Sequence, residues 1–315
     1  MNKLKGAVKS LIESNFSVIE VNGVIQKKDL IWRNIYRYDE RGNEIERICY
    51  NSNELIDGKY ISRYNDKCNL VEKVIFDSDG NIVNRSVFKY DENNNMIEWK
   101  SFTSSDKLFG KGKKLVKYTY RYDKKGNPIE ENWHSPIENF FWRSKKYVRF
   151  SYEYDEKGNL IEENWFNADG SFDCKFIYRY DDLGNRIEWK LYNNVNVLNG
   201  RSTFEYDQKG NKLSECRYNI EGKLDCKFSF KYDENNNEIE YHSYNSEEYI
   251  SEMRLSSYDE HGNKTKEDWQ GPEGHIYNDI SFVYSYYDLS GNWINKIVYH
   301  DGIPIEIMER TIEYY

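Results

Sequence analysis

The residues able to do chemistry recur at fixed spacing in this chain, and that regularity limits what they can do. Seven glutamates, Glu46, Glu72, Glu98, Glu130, Glu162, Glu188 and Glu240, each stand eight residues after a tyrosine. In pairs they could pass for the acid and base of a hydrolase. An active site needs one constellation, however, and a ladder of identical residues serves a scaffold. Ten aspartate-bearing turns raise calcium, but each Asp-x-x-Gly-Asn string offers a single carboxylate where the ion takes roughly six to eight oxygens. The histidines His134, His242, His261, His275 and His300 share no repeated position and form no HExxH pair. The cysteines Cys49, Cys68, Cys174, Cys216 and Cys226 contain no CxxC. Two of them are copies of one strand position, in FDCKF and LDCKF, and read as small packed residues of a reducing compartment. Neither a phosphate-cradling glycine loop nor a GxSxG elbow occurs. The expectation is a non-enzyme without cofactor or metal.

The elements that position these residues follow from one period. Tyr-Asp-x-x-Gly-Asn begins at Tyr38, Tyr64, Tyr90, Tyr122, Tyr154, Tyr180, Tyr206, Tyr232, Tyr258 and Tyr287, and Tyr314 opens an eleventh copy. Counting from each tyrosine as zero, +1 is Asp in nine copies, +4 is Gly in seven and +5 is Asn in all ten. Asp caps backbone amides two residues on, and Gly or Asn accepts the left-handed conformation that closes a tight turn. Flanks such as CKFIYRYD and NRIEWKLY alternate with the two-residue period of strands. Each period therefore supplies two strands and two turns. The expected fold is all-β: an antiparallel β-meander of about twenty strands, coiling into a spiral, shell or solenoid-like sheet. A four-residue turn puts Tyr −2, Tyr 0 and the apolar residues at +7 and +11 on one face, and Glu +8 with the often basic −1 position on the other; a three-residue loop would instead flip one strand relative to the other.

Residues 1–30 are read as an N-terminal helical cap and lead-in strand, because Leu4, Val8, Leu11 and Ile12 recur at helical spacing; residues 31–315 are the hairpin repeats. The chain has 315 residues, a net charge of −9 and only 38% hydrophobic residues, a balance that usually signals disorder. Its 17% aromatic content argues instead for a folded protein that packs with tyrosine. The acidic balance opposes a nucleic-acid role, and no apolar run is long enough for a membrane-spanning helix. With no secretory signal pattern, a cytoplasmic location is expected.

The string in Tyr36-Arg37-Tyr38-Asp39 with Gly42-Asn43, and again in Tyr178-Arg179-Tyr180-Asp181 with Gly184-Asn185, resembles the YD repeats of the RHS-repeat family. The resemblance covers about nine tenths of the chain. It implies long β-sheets that spiral into shells, as in bacterial polymorphic toxins, insecticidal toxin complexes and surface proteins. The periods here are longer than that family's usual repeat, and no toxin-like domain follows a DPxG-type motif.

Two adjacent periods depart from the rule by stretching to 32 residues. Their extensions, TSSDKLFGKGKKLVK (103–117) and SPIENFFWRSKKYVR (135–149), should emerge side by side on one rim. From Lys107 to Arg149 twelve Lys and Arg face four Asp and Glu, a local +8 on an acidic chain. Phe109, Lys111, Lys113, Lys114, Phe140, Phe141, Trp142, Arg143, Lys145 and Lys146 form the candidate partner-binding set. The partner expected there is an acidic protein or a polysaccharide. The reading that follows is a non-enzymatic interaction or scaffold protein, in one form a cytoplasmic partner or immunity-type protein of a bacterial toxin system. The alternative is a carbohydrate-binding surface protein. A terminal strand at 309–315 left exposed would also permit edge-to-edge homodimers.

Overall fold

The computed structural model describes residues 4–103, 114–134 and 148–315. Its strands begin with β1 (Val8–Val21), β2 (Val24–Tyr38), β3 (Glu44–Tyr50), β4 (Ile56–Tyr64), β5 (Leu70–Phe76), β6 (Ile82–Tyr90) and β7 (Met96–Thr103). Next come β8 (Lys114–Tyr122), β9 (Pro128–His134), β10 (Arg149–Tyr154), β11 (Leu160–Phe166), β12 (Phe172–Tyr180), β13 (Arg186–Asn193) and β14 (Leu198–Tyr206). The rest are β15 (Lys212–Tyr218), β16 (Leu224–Tyr232), β17 (Glu238–Tyr244), β18 (Ile250–Tyr258), β19 (Lys264–Gln270), β20 (Ile276–Tyr287), β21 (Trp293–His300) and β22 (Ile303–Tyr314). All belong to one sheet, and no helix occurs among the described residues.

The hairpin logic holds at atomic detail. In the first repeat the Asp39 amide donates to the Asn43 carbonyl at 2.9 Å, and the Gly42 amide to the Asp39 carbonyl at 2.9 Å. Oδ1 of Asp39 accepts from the amides of Arg41 and Asn43, while Asn43 Nδ2 donates to Oδ2. Gly42 has φ 82°, and where the sequence offers no glycine the same left-handed position is held by Cys68 (φ 61°), Asn94 (φ 68°) and Asn236 (φ 64°). The ladder then slips by one residue: Arg37 pairs with Glu46, but Tyr38 pairs with Glu44. The residue at +7 is the extra one in this bulge. That is why Ile45, Ile97 and Leu213 are more than a third exposed, where the sequence placed +7 with the packed tyrosines.

The chain divides into two compact units. Unit 2 (Lys117–Gly262 and Glu267–Asn278) holds the regular repeats, in which β9 to β18 pair each with the next. Unit 1 (Met1–Val116, Asn263–Lys266 and Asp279–Tyr315) contains the first repeats and both terminal strands. Within it β1 lies between β2 and β22, with Glu13 opposite both Asn34 and Arg310.

Two expectations are corrected here. The open spiral or solenoid-like sheet gives way to a closed meander, because the first and last strands pair. The terminal segment 309–315 is likewise no free edge, since Glu309–Tyr314 pair with β1 and Glu309 also with β21. The N-terminal helical cap expected within residues 1–30 is a strand from Val8 onward. Its true alternation is Leu11, Glu13, Asn15, which are 5%, 1% and 3% exposed. Because two of these three buried residues are polar, the two-residue period is invisible to a hydropathy reading. Pairing on both sides then overrides local helical spacing.

Candidate functional site

Most recurring polar groups are occupied by the fold. Glu +8 sits directly opposite −1, as the four-residue turn required, and ion pairs join Arg63 to Glu72 (2.9 Å), Lys89 to Glu98 (3.1 Å) and Lys231 to Glu240 (2.8 Å). A second cation comes from the following strand: Lys59 reaches Glu46 at 2.7 Å, and Arg201 reaches Glu188 at 2.6 Å. The position-zero tyrosines stitch neighbouring repeats together. Tyr64, Tyr90, Tyr180, Tyr206, Tyr232 and Tyr258 each donate the hydroxyl to a backbone carbonyl twenty residues upstream, as Tyr90 to Leu70 (2.9 Å), Tyr180 to Leu160 (2.9 Å) and Tyr232 to Lys212 (3.0 Å). The turn aspartates are held below the usual carboxylate range, chiefly by the asparagine side-chain bond in Asp91, Asp123, Asp155, Asp181, Asp207 and Asp233. Among the described residues no three His, Cys, Asp or Glu converge as metal ligands.

The partner-binding set expected from the sequence lies outside the described residues, apart from the backbone of Lys114 at the start of β8. The described structure instead draws together two groups that the sequence reading did not single out.

In unit 2 an aromatic row crosses six consecutive strands. Tyr118 packs on Trp133 (5.4 Å between ring centroids), Trp133 on Phe150 (5.1 Å), Phe150 on Trp165 (5.5 Å) and Trp165 on Phe176 (5.3 Å). Phe176 continues the row to Trp189 at 6.0 Å. Carboxylates are set into it: Trp165 Nε1 donates to Glu163 Oε1 at 2.6 Å, and the Tyr178 hydroxyl to Oε2 at 2.9 Å. Glu131 repeats the arrangement with Trp133 and Tyr152. Burial, reinforced by these carboxylates, pushes the Tyr152 and Tyr178 phenols far up, so they remain donors. The signal for this pattern was in the sequence, as the repeated Glu-x-Trp of Glu131–Trp133, Glu163–Trp165 and Glu267–Trp269.

In unit 1 the strands outside the regular repeat build a polar seam. Arg310 Nε donates to Glu13 Oε1 at 2.9 Å, and the side chains are only 6% and 2% exposed. The guanidinium lies 3.5 Å from the centre of the Trp293 ring, with Lys296 Nζ 5.3 Å from the same ring. Burial, then the neighbouring Arg310 charge, pushes the Lys296 amine down. Asn15 Nδ2 donates to Glu306 at 3.0 Å. Two strands away Arg47 clasps Glu44 through Nε (3.1 Å) and Nη2 (2.9 Å), its guanidinium 5.0 Å from the Tyr36 ring centre. Arg310 and Arg47 line one cavity of about 720 Å³, together with Tyr36, Tyr38, Val8 and Leu11. Sequence reading missed it because none of its charged groups falls on a repeated Glu or Arg position, and Glu13 was assigned to a helix.

The chain matches no protein-family model and no curated protein. Among solved structures it is similar to the TcdB2-TccC3-Cdc42 crystal structure, at 13% identity and a TM-score of 0.37, over 95% of this chain and 18% of that one. The Tc holotoxin pore of Photorhabdus luminescens is similar at 10% identity and a TM-score of 0.27, over 89% and 20%. A porin-like protein from Bacteroides uniformis is similar at 11% identity and a TM-score of 0.29, over 98% of each chain. The chain thus spans about a fifth of the toxin chains it resembles.

Proposed function

We propose that this protein is a non-enzymatic interaction scaffold whose partner is an acidic protein. One observation carries the reading. The repeated polar residues are engaged within the fold, whereas the sequence interrupts its acidic repeats once, with the basic and aromatic extensions between Lys107 and Arg149. In repeat proteins the constant positions hold the array and the departures from it carry recognition. Consecutive aromatics flanked by arginine and lysine suit an interface anchor against a negatively charged surface. The likeness of the YDxxGN string to YD repeats supports a bacterial toxin system as the setting, with this chain as a cytoplasmic partner or immunity-type protein.

The experiment is capture from the source organism's lysate by the native chain and by the charge reversal K111E/K113E/K145E/K146E, with immobilised poly-glutamate as a defined acidic probe. Salt-sensitive retention of the native chain alone, with one specific protein recovered by it alone, is the expected result. Equal behaviour of the two chains removes the reading.

A second reading, carbohydrate binding at a cell surface, is favoured by the aromatic row of unit 2. Trp and Tyr rings interleaved with carboxylates are the usual furniture of sugar recognition, although here the rings meet one another edge-on or tilted. Retardation of the native chain in a polysaccharide gel, relieved by Trp165→Ala, would favour it over the acidic-protein reading.

A further inference from the structure

The unit 1 cavity differs from the rest of the molecule in what its polar groups leave unused. Glu13 is committed to Arg310 and Glu44 to Arg47, while the Asp39 carboxylate accepts from its own turn. The acids lining the cavity are therefore occupied, apart from Glu40 on the exposed turn. The donors are not. Arg310 uses only Nε and Arg47 only Nε and Nη2, so both keep terminal guanidinium hydrogens without an acceptor among the described residues. The hydroxyls of Tyr36 and Tyr38 also have no described acceptor, and burial raises both phenols, Tyr38 to about 12. They remain protonated, as donors, throughout the physiological range. The apolar part of the lining is Leu4, Ala7, Val8 and Leu11, with Leu11 paired across the ladder from Tyr36.

We propose that this cavity binds a small organic monoanion, a carboxylate carried on an apolar body, whose charged end is taken by Arg47 and the two tyrosine hydroxyls. Charge-assisted bonds from guanidinium to carboxylate supply orientation, and a planar fork suits a planar acid. The apolar body lies against the Leu4–Leu11 wall. A volume of about 720 Å³ falls in the range of about 300–1,000 Å³ typical of small-molecule sites. This site is independent of the basic extensions and stands or falls apart from the scaffold reading.

The test is isothermal titration of the full chain with sodium octanoate and 3-phenylpropionate, beside octylamine and octanol as matched apolar bodies with a cationic and a neutral head. Saturable binding of an acid, with neither octylamine nor octanol competing for it, is expected. Arg47→Gln should weaken it roughly tenfold or more, Tyr38→Phe by a smaller factor, and Ala7→Trp should abolish it by filling the wall. Arg47 and Ala7 are chosen over Arg310 because the Arg310–Glu13 pair joins two strands. Unchanged far-ultraviolet circular dichroism and melting temperature show that each variant is folded. Failure of both acids to bind, equal binding of octylamine or octanol, or acid binding indifferent to both Arg47→Gln and Ala7→Trp would each overturn the proposal.

Discussion

At the scale of single residues, the repeat is a division of labour in which each recurring side chain closes one bond. The position-zero tyrosine is the link between repeats, because its hydroxyl reaches a carbonyl of the preceding hairpin. Tyr232→Phe keeps the ring and removes only that bond. It should destabilise the chain by about 0.5–1.5 kcal/mol, read as a lower urea midpoint at unchanged slope. The turn aspartates predict an acid limb. Their carboxyls are depressed in the folded chain, so their contribution is complete above the unfolded value of about 3.9 and is lost as pH falls through the lower folded values. Asparagine replaces aspartate naturally at Asn65, where Oδ1 still accepts from the amides of Lys67 and Asn69. Converting Asp91, Asp123, Asp155, Asp181, Asp207 and Asp233 to Asn should therefore flatten the fall of the unfolding midpoint between pH 5 and pH 2. An undiminished fall would assign the acid limb to other carboxylates.

At the scale of elements, hairpins and seam differ in how far the sequence announces them. YDxxGN states its turn and the −1/+8 charge pairing directly, and the structure follows it from Arg37–Glu46 to Lys231–Glu240, although the bulge at +7 turns that residue outward. β1 is illegible by comparison, since its buried face reads Leu11, Glu13, Asn15 and only pairing with β2 and β22 identifies those polar residues as interior. The same physics hid the seam cavity, because Arg310 becomes a buried partner only after residues 297 apart in the chain have met. Arg310→Leu leaves Glu13 charged and buried without its partner and should cost about 3–5 kcal/mol. The double variant Glu13→Leu/Arg310→Leu should recover much of that loss. A double variant no more stable than the single one would show that the pair is not the seam's main contact.

At the scale of the whole molecule, the pairing of β1 with β22 makes the most local of architectures depend on its least local contact. Hairpins of neighbouring residues can form early, whereas this closing pair must wait for the two terminal strands to meet. Variants at β22 should then chiefly accelerate unfolding, and variants within the β15–β16 hairpin should also slow refolding, as stopped-flow kinetics would read directly. The same contact has a further meaning. The Tyr315 amide donates to the Ala7 carbonyl at 3.0 Å, which leaves residues 7 and 315 within reach of a short peptide joint. To the strands, the numbering is then almost arbitrary. A circular permutant joined there and reopened at an exposed tip such as Lys209–Gly210 would keep the β1–β22 pairing described above, its starting point a matter of translation rather than of structure.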